Sequence, residues 1–177
     1  MEFRKATVED IDRIMEIVTI GKKALASLGL DQWQGGYPNR AVIEGDVARG
    51  ESYVVVNEAG TVVATAVVTL AGEPTYDVIE GAGWLTASTS DAPRYACIHR
   101  VASDGQTKGA GMAAVAGCED VARAAGCESV RIDTHAGNVP MRRLVEKRGY
   151  AACGTITITH NEDGTPYRTA YELVLER

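Results

Sequence analysis

Residues 101 to 112 read Val101-Ala102-Ser103-Asp104-Gly105-Gln106-Thr107-Lys108-Gly109-Ala110-Gly111-Met112 and run on into Ala113-Ala114-Val115-Ala116. Before them, Ala96-Cys97-Ile98-His99-Arg100-Val101 reads as a short strand. The polar, glycine-bearing turn that follows opens at once into a helix of small residues. A strand feeding such a turn at a helix N-terminus presents unpaired backbone N–H groups and the positive end of the helix dipole, which suit a phosphate-type anion. Glycine lets a ligand approach the backbone without meeting a Cβ. Residues 106 to 111 are the expected anion cradle.

Downstream, Ser129 to Thr134 form a strand ending in Asp133-Thr134-His135. A helix over about 138 to 148 carries Asn138 and Pro140 at its start and is followed by Gly149. Strands over 151 to 159 and 167 to 175 pair around Asn161-Glu162-Asp163-Gly164 as a hairpin. Upstream, residues 2 to 6 are a strand, and Thr7-Val8-Glu9-Asp10 resembles a capping box with Asp in place of the usual Glu or Gln. Ile11, Ile14, Met15, Val18, Leu25 and Leu28 then share one helix face, which Gly29 ends.

Asp31 to Pro38 is aromatic, glycine-rich and expected as a surface loop, with a short helix over 39 to 49 behind it. The β-branched runs Ser52 to Val56 and Val62 to Leu70 flank Asn57-Glu58-Ala59-Gly60, a hairpin signal. Residues 71 to 93 lack a pattern, and a loop of that length in a compact domain is usually functional or mobile. The order β-α-α-β-β-β-α-β-α-β-β predicts an α/β (α+β) chain. Its sheet is mixed and mostly antiparallel, of about seven strands, flanked by four helices. Residues 1–177 read as one domain, with no internal repeat or linker.

Composition narrows the partners. The 177 residues are 45% hydrophobic with a net charge of −6, and the pI is near 5.1. A basic face for nucleic acid or anionic membrane is not expected, whereas a cationic amine is compatible. The N-terminus lacks the apolar segment of a signal peptide, and no apolar run reaches membrane-spanning length. Cys97, Cys118, Cys127 and Cys153 form no C-x-x-C pair, and the three histidines are not grouped with them. Free buried thiols in a reducing cytoplasm, and no metal, are the expectation.

Two motifs share the same glycines. Gly109-Ala110-Gly111-Met112-Ala113-Ala114 fits G-x-G-x-x-A, and Asp133 ends the next strand 22 residues beyond Gly111. That is the dinucleotide fingerprint. Against it, Ser103 to Lys108 separate strand from glycines, and the 66 residues after Gly111 end in a hairpin instead of further βαβ units. No G-x-x-x-x-G-K-[ST] occurs.

The second motif is Gln106-x-x-Gly109-x-Gly111, five residues after Val101. Here the chain resembles the GNAT superfamily of acyltransferases, whose pyrophosphate loop reads Q/R-x-x-G-x-G/A after a strand valine. The likeness continues through Asn138 to Gly149-Tyr150, which resembles the family's second coenzyme segment, and the element order agrees from end to end.

The resemblance implies an acetyl-CoA-dependent N-acetyltransferase that acetylates a primary amine of a small molecule or peptide by direct attack in a ternary complex. It implies that the backbone around Gln106, Thr107, Lys108, Gly109, Ala110, Gly111 and Met112 holds the pyrophosphate. Val101 would contact the pantetheine arm and Asn138 would touch the coenzyme. Many members place an acidic tyrosine four residues before the glycine of the second segment; here that place is Val145, and Tyr150 is the nearest tyrosine. A coenzyme-binding sensor without catalysis is the alternative reading. A monomer or homodimer is expected.

The chemistry sets its own needs. Freeing the lone pair of an alkyl amine with pKa near 10.4 costs roughly 4–5 kcal/mol at pH 7, so a base is required. His99 and His135 are the candidates, with Asp133 as a possible orienter. His99 is expected to share a sheet face with Val101 two residues on. His160 reads as surface. Trp33, Tyr37 and Trp84 can wall an acceptor pocket.

Overall fold

The computed structural model describes residues 1–159 and 164–176. In chain order it contains β1 (Glu2–Lys5), α1 (Ile11–Ser27), α2 (Arg40–Ala48), β2 (Ser52–Val56), β3 (Val62–Thr69), β4 (Tyr95–Ser103), α3 (Ala110–Ala124), β5 (Ser129–Thr134), α4 (Val139–Lys147), β6 (Ala151–Thr157) and β7 (Tyr167–Val174). The sheet order is β1-β2-β3-β4-β5-β7-β6. Among the described residues only β4 and β5 run parallel; the other neighbours are antiparallel. The mixed, mostly antiparallel sheet with four helices is as expected. One parallel pair cannot carry a dinucleotide fold, so that reading is dropped.

Helices cover both faces, which is why β2 and β3 are β-branched and buried almost throughout. α1 and α2 pack Ile14, Ile17, Val18, Leu25 and Ile43 against Val54, Val56 and Ala102. On the other face Ala110, Ala114, Val115 and Cys118 of α3 meet Val55, Ala96, Ile98 and Ile132, with Val145 of α4. The small residues of α3 permit close approach: a Cβ at Gly117 would lie 2.2 Å from the Phe3 ring, itself stacked on Tyr53. The Thr7 amide donates to the Asp10 carboxylate at 2.8 Å before α1. Asn39 caps α2 by accepting from the Val42 amide at 3.0 Å.

Two expectations are corrected. Residues 31–38 are not a plain surface loop, because Gln32 and Trp33 are buried. Residues 71–93 are pattern-poor yet firmly anchored. The Arg131 Nε donates to Glu172 Oε1 at 2.9 Å, both side chains being fully buried. Arg131 also donates to the Thr86 and Ser88 carbonyls and lies between the rings of Trp84 and Tyr95. His160 and residues 161–163 of the hairpin turn lie outside the described residues. Cys97, Cys118, Cys127 and Cys153 are free thiols. Among the described residues no helix is long and apolar enough to cross a membrane, and no group of three or more His, Cys, Asp or Glu could hold a metal ion.

The feature that positions a site is where β4 and β5 part. Their ladder runs from Tyr95↔Ser129 to Ile98↔Ile132 and stops. Beyond it β4 follows β3 as far as Ser103, while β5 follows β7 to Thr134. A cleft opens between His99 to Val101 on one side and Asp133 and Thr134 on the other.

Candidate active site

A cavity of about 280 Å³ fills that cleft. Its walls include His99, Arg100 and Val101 of β4, Asp133 and Thr134 of β5, and Asn138 and Met141 at the α4 end. Trp33 and Tyr37, two of the three aromatic residues expected to wall an acceptor pocket, line it, and Glu73, Thr75 and Ile158 complete that side. Trp84 does not line it. Its indole N–H donates to the Tyr76 carbonyl at 2.7 Å and its ring covers Arg131, so its role is to hold the 71–93 segment.

The acid–base groups converge at one point. His99 Nε2 stands 3.8 Å from Glu73 Oε2, an ion pair whenever the imidazole is protonated, and both side chains are about one-fifth exposed. Glu73 is held by its other oxygen, which accepts from the Thr75 amide at 3.1 Å and the Thr75 hydroxyl at 2.7 Å. Glu73 was not among the expected site residues, because it sits in the pattern-poor stretch; the Glu73-Pro74 pair opening a 3-10 turn, Pro74–Tyr76, is its local signal. Asp133 Oδ1 accepts from the Tyr76 hydroxyl at 2.6 Å. Burial first, and the Asp133 charge second, raise the Tyr76 phenol well above its ordinary value, so it stays a neutral donor.

The other candidates fall elsewhere. His135 does not line the cavity. Its Nδ1 accepts from the Gly137 amide at 2.9 Å and its Nε2 stands 3.9 Å from Asp31, so the neutral ring carries its proton on Nε2 and has no lone pair left to act as base. It ties the 31–38 segment to the end of β5. His135→Ala is expected to leave kcat within about threefold and to destabilise by about 1 kcal/mol through the lost acceptor, read as a shift of the urea midpoint. Tyr150 is buried in the core cluster under α3, where burial and then Glu119 raise its hydroxyl far above the ordinary value. That removes it as an acid. Val145 is likewise core, and Tyr37 is the tyrosine on the cavity wall.

At the start of α3 the cradle is narrower than expected. Asp104 accepts from the amides of Gln106 and Thr107 at 3.0 and 2.9 Å and from the Thr107 hydroxyl at 2.8 Å. Burial opposes ionisation of Asp104, but these bonds outweigh it and hold the carboxyl below its ordinary value. The Ala110 amide goes to the Thr107 carbonyl. The anion donors left by helix geometry are the amides of Lys108, Gly109, Gly111 and Met112. Gly109 is glycine because its φ is +84°; at Gly111 a Cβ would come within 3.3 Å of Leu144 Cδ1 of α4. Lys108 is exposed beside the cradle. Asn138 caps α4, accepting from the Met141 amide at 3.3 Å and donating to Thr134 Oγ1 at 3.0 Å.

Arg100 breaks the expected strand parity. Between Thr65↔Ala102 and Val67↔His99, β4 has one residue more than β3. Arg100 occupies this bulge at φ +53°, a left-handed conformation that costs a non-glycine residue roughly 1–2 kcal/mol. His99 and Val101 therefore do not share a face as predicted. His99 lies on the side of Tyr76 and Glu73, whereas Val101 packs on the α3 core.

A profile of the Acetyltransferase (GNAT) family matches residues 22–150, and the chain belongs to that family. It is similar to an acetyltransferase of the GNAT family from Streptococcus agalactiae 2603, with 29% identity and a TM-score of 0.86 over 99% of this chain and 96% of that one. A putative acetyltransferase from Staphylococcus aureus Mu50 shares 24% identity and a TM-score of 0.72 over 99% and 100%. A ribosomal-protein-alanine N-acetyltransferase from Brucella melitensis shares 16% and 0.66 over 99% and 100%. The last two show a common fold alone. No curated protein sequence matches. Family and fold define the class, an acyltransferase of GNAT type.

Proposed function

We propose that the chain transfers an acetyl group from acetyl-CoA to a primary amine of a small molecule or peptide, with donor and acceptor bound together. The observation that carries this reading is one cavity in the β4–β5 gap that has His99 with Glu73 on its wall and extends to Ser103 and Gly105, on the turn that leads into the amide cradle. Residues for the coenzyme fit: the first turn of α3 offers unpaired amides behind a left-handed glycine, as a pyrophosphate needs. Acetyl-CoA supplies, when bound, an acyl group activated as a thioester.

The chain's own residues do the rest. The amides of Lys108, Gly109, Gly111 and Met112 bind the pyrophosphate, with Gln106, Thr107 and Ala110 shaping the turn. Val101 and Asn138 border the path of the pantetheine arm. The carboxylate of Glu73 draws in the ammonium, and the Glu73 Oε2–His99 Nε2 pair takes the proton that must leave before the nitrogen can attack. Trp33 and Tyr37 line the same cavity.

Gly109→Val forces a β-branched residue into the left-handed region. It is expected to weaken acetyl-CoA binding about tenfold or more in calorimetry, with the far-ultraviolet circular dichroism unchanged. The activity itself is tested by thiol release from acetyl-CoA across a panel of primary amines: release with at least one amine is expected. Binding without release on any of them would favour the sensor reading, which draws on Val145 being buried core where an acid is usual.

A further inference from the structure

We infer that Arg100 and Asp46 form a positioning clamp that selects the bulge in β4 and so decides what the cleft presents. Ala96 and Ile98 face the apolar core under α3, and in an unbulged strand Arg100 would be the next residue on that face. A guanidinium has no partner among those apolar side chains. At φ +53° it turns instead to the α2 side. There Nε and Nη2 donate to the two oxygens of Asp46 at 2.7 and 2.8 Å, and Nη1 donates to the Tyr37 hydroxyl at 2.5 Å. Asp46 is fully buried and also binds Arg49 at 2.5 Å.

The extra residue exchanges faces for everything after it. Val101 joins the α3 core and Ala102 the α1 cluster, which is the reverse of the unbulged order. A buried ion pair is a weak source of stability, and a left-handed arginine is a strained one, so the two together beside the cleft point to positioning. Arg100 also stands between two cavities, the cleft and a second one under α2. Its displacement alters the wall next to His99.

The inference rests on the acetyl-CoA reading for its functional arm alone; its structural arm is read without coenzyme. The test is the double variant Asp46→Leu/Arg100→Met, because replacing a buried pair by apolar residues is often neutral for stability. It is expected to melt near wild type. Cross-strand nuclear Overhauser contacts between β3 and β4 are expected to lose the one-residue shift. Acetyl-CoA affinity is expected to fall about tenfold, and kcat about 10²-fold through misplaced groups. Retention of the shift, or its loss with wild-type affinity and kcat, overturns the clamp. Failure of the wild type to bind acetyl-CoA would instead overturn the proposed function.

Should the double variant not fold, Arg100→Gly carries the test, since glycine enters the left-handed region freely and only the clamp is lost. Faster amide exchange at Val101 with lower kcat is then expected. Both unchanged would overturn the inference.

Discussion

Glu73→Gln is expected to lower kcat by about 10²–10⁴-fold, the usual yield of a positioned acid–base group. Acetyl-CoA affinity should stay within about twofold, because the anion donors are backbone amides of the turn before α3 and Glu73 is not among them. The substitution is nearly isosteric and keeps an oxygen for the Thr75 amide and hydroxyl, so the 3-10 turn is preserved. What it removes is the negative charge 3.8 Å from His99. His99→Ala should act in the same direction. The double variant should be little worse than either single one, since both groups are assigned to the same proton transfer. Full kcat in Glu73→Gln would separate Glu73 from the chemistry.

Glu172→Ala is expected to cost about 3–5 kcal/mol of stability, because it leaves the fully buried Arg131 charge without its counter-ion. For a chain of this size the melting temperature should fall on the order of 10 °C. Glu172 also accepts from the hydroxyls of Ser129 and Thr86, both at 2.6 Å, and from the Leu85 amide. Its loss therefore frees the 71–93 segment that delivers Glu73. Burial pushes the Glu172 carboxyl up, but the bonds from Ser129, Thr86 and Arg131 outweigh it and hold the value below the ordinary 4.5. The sign follows from a depressed carboxylate: its stabilisation is fully present above about pH 4.5 and is lost as pH falls through the lower folded value. Wild type should accordingly lose stability on acidification more steeply than Glu172→Gln, measured by thermal melts along a pH series.

The frame of the molecule was legible because it rests on local signals. The β-branched runs of β2 and β3, the capped starts of α1 and α2, and the strand–turn–helix at 101 to 116 each carry their pattern within a dozen residues. Glu73 was not legible: its meaning depends on His99, brought to it only when β3 and β4 pair. Arg100 defied local propensity altogether, since nothing in Ile98-His99-Arg100-Val101 announces a left-handed arginine. Its cause lies in Asp46 of a distant helix. His135 and His99 were equivalent as candidate bases, and a single amide from Gly137 separates them by fixing the tautomer. The glycines named the cradle, but Asp104 had taken two of its amides.

In the proposed function the β4–β5 cleft holds the coenzyme with its acyl end beside Glu73 and His99. A crystal structure of the wild-type protein with acetyl-CoA tests it most directly. The expected result is pyrophosphate on the amides of Lys108, Gly109, Gly111 and Met112, with the thioester between Val101 and Asp133 and within reach of the Glu73–His99 pair. Coenzyme bound outside the cleft, or bound in it with Glu73 and His99 turned away from the thioester, would contradict the account.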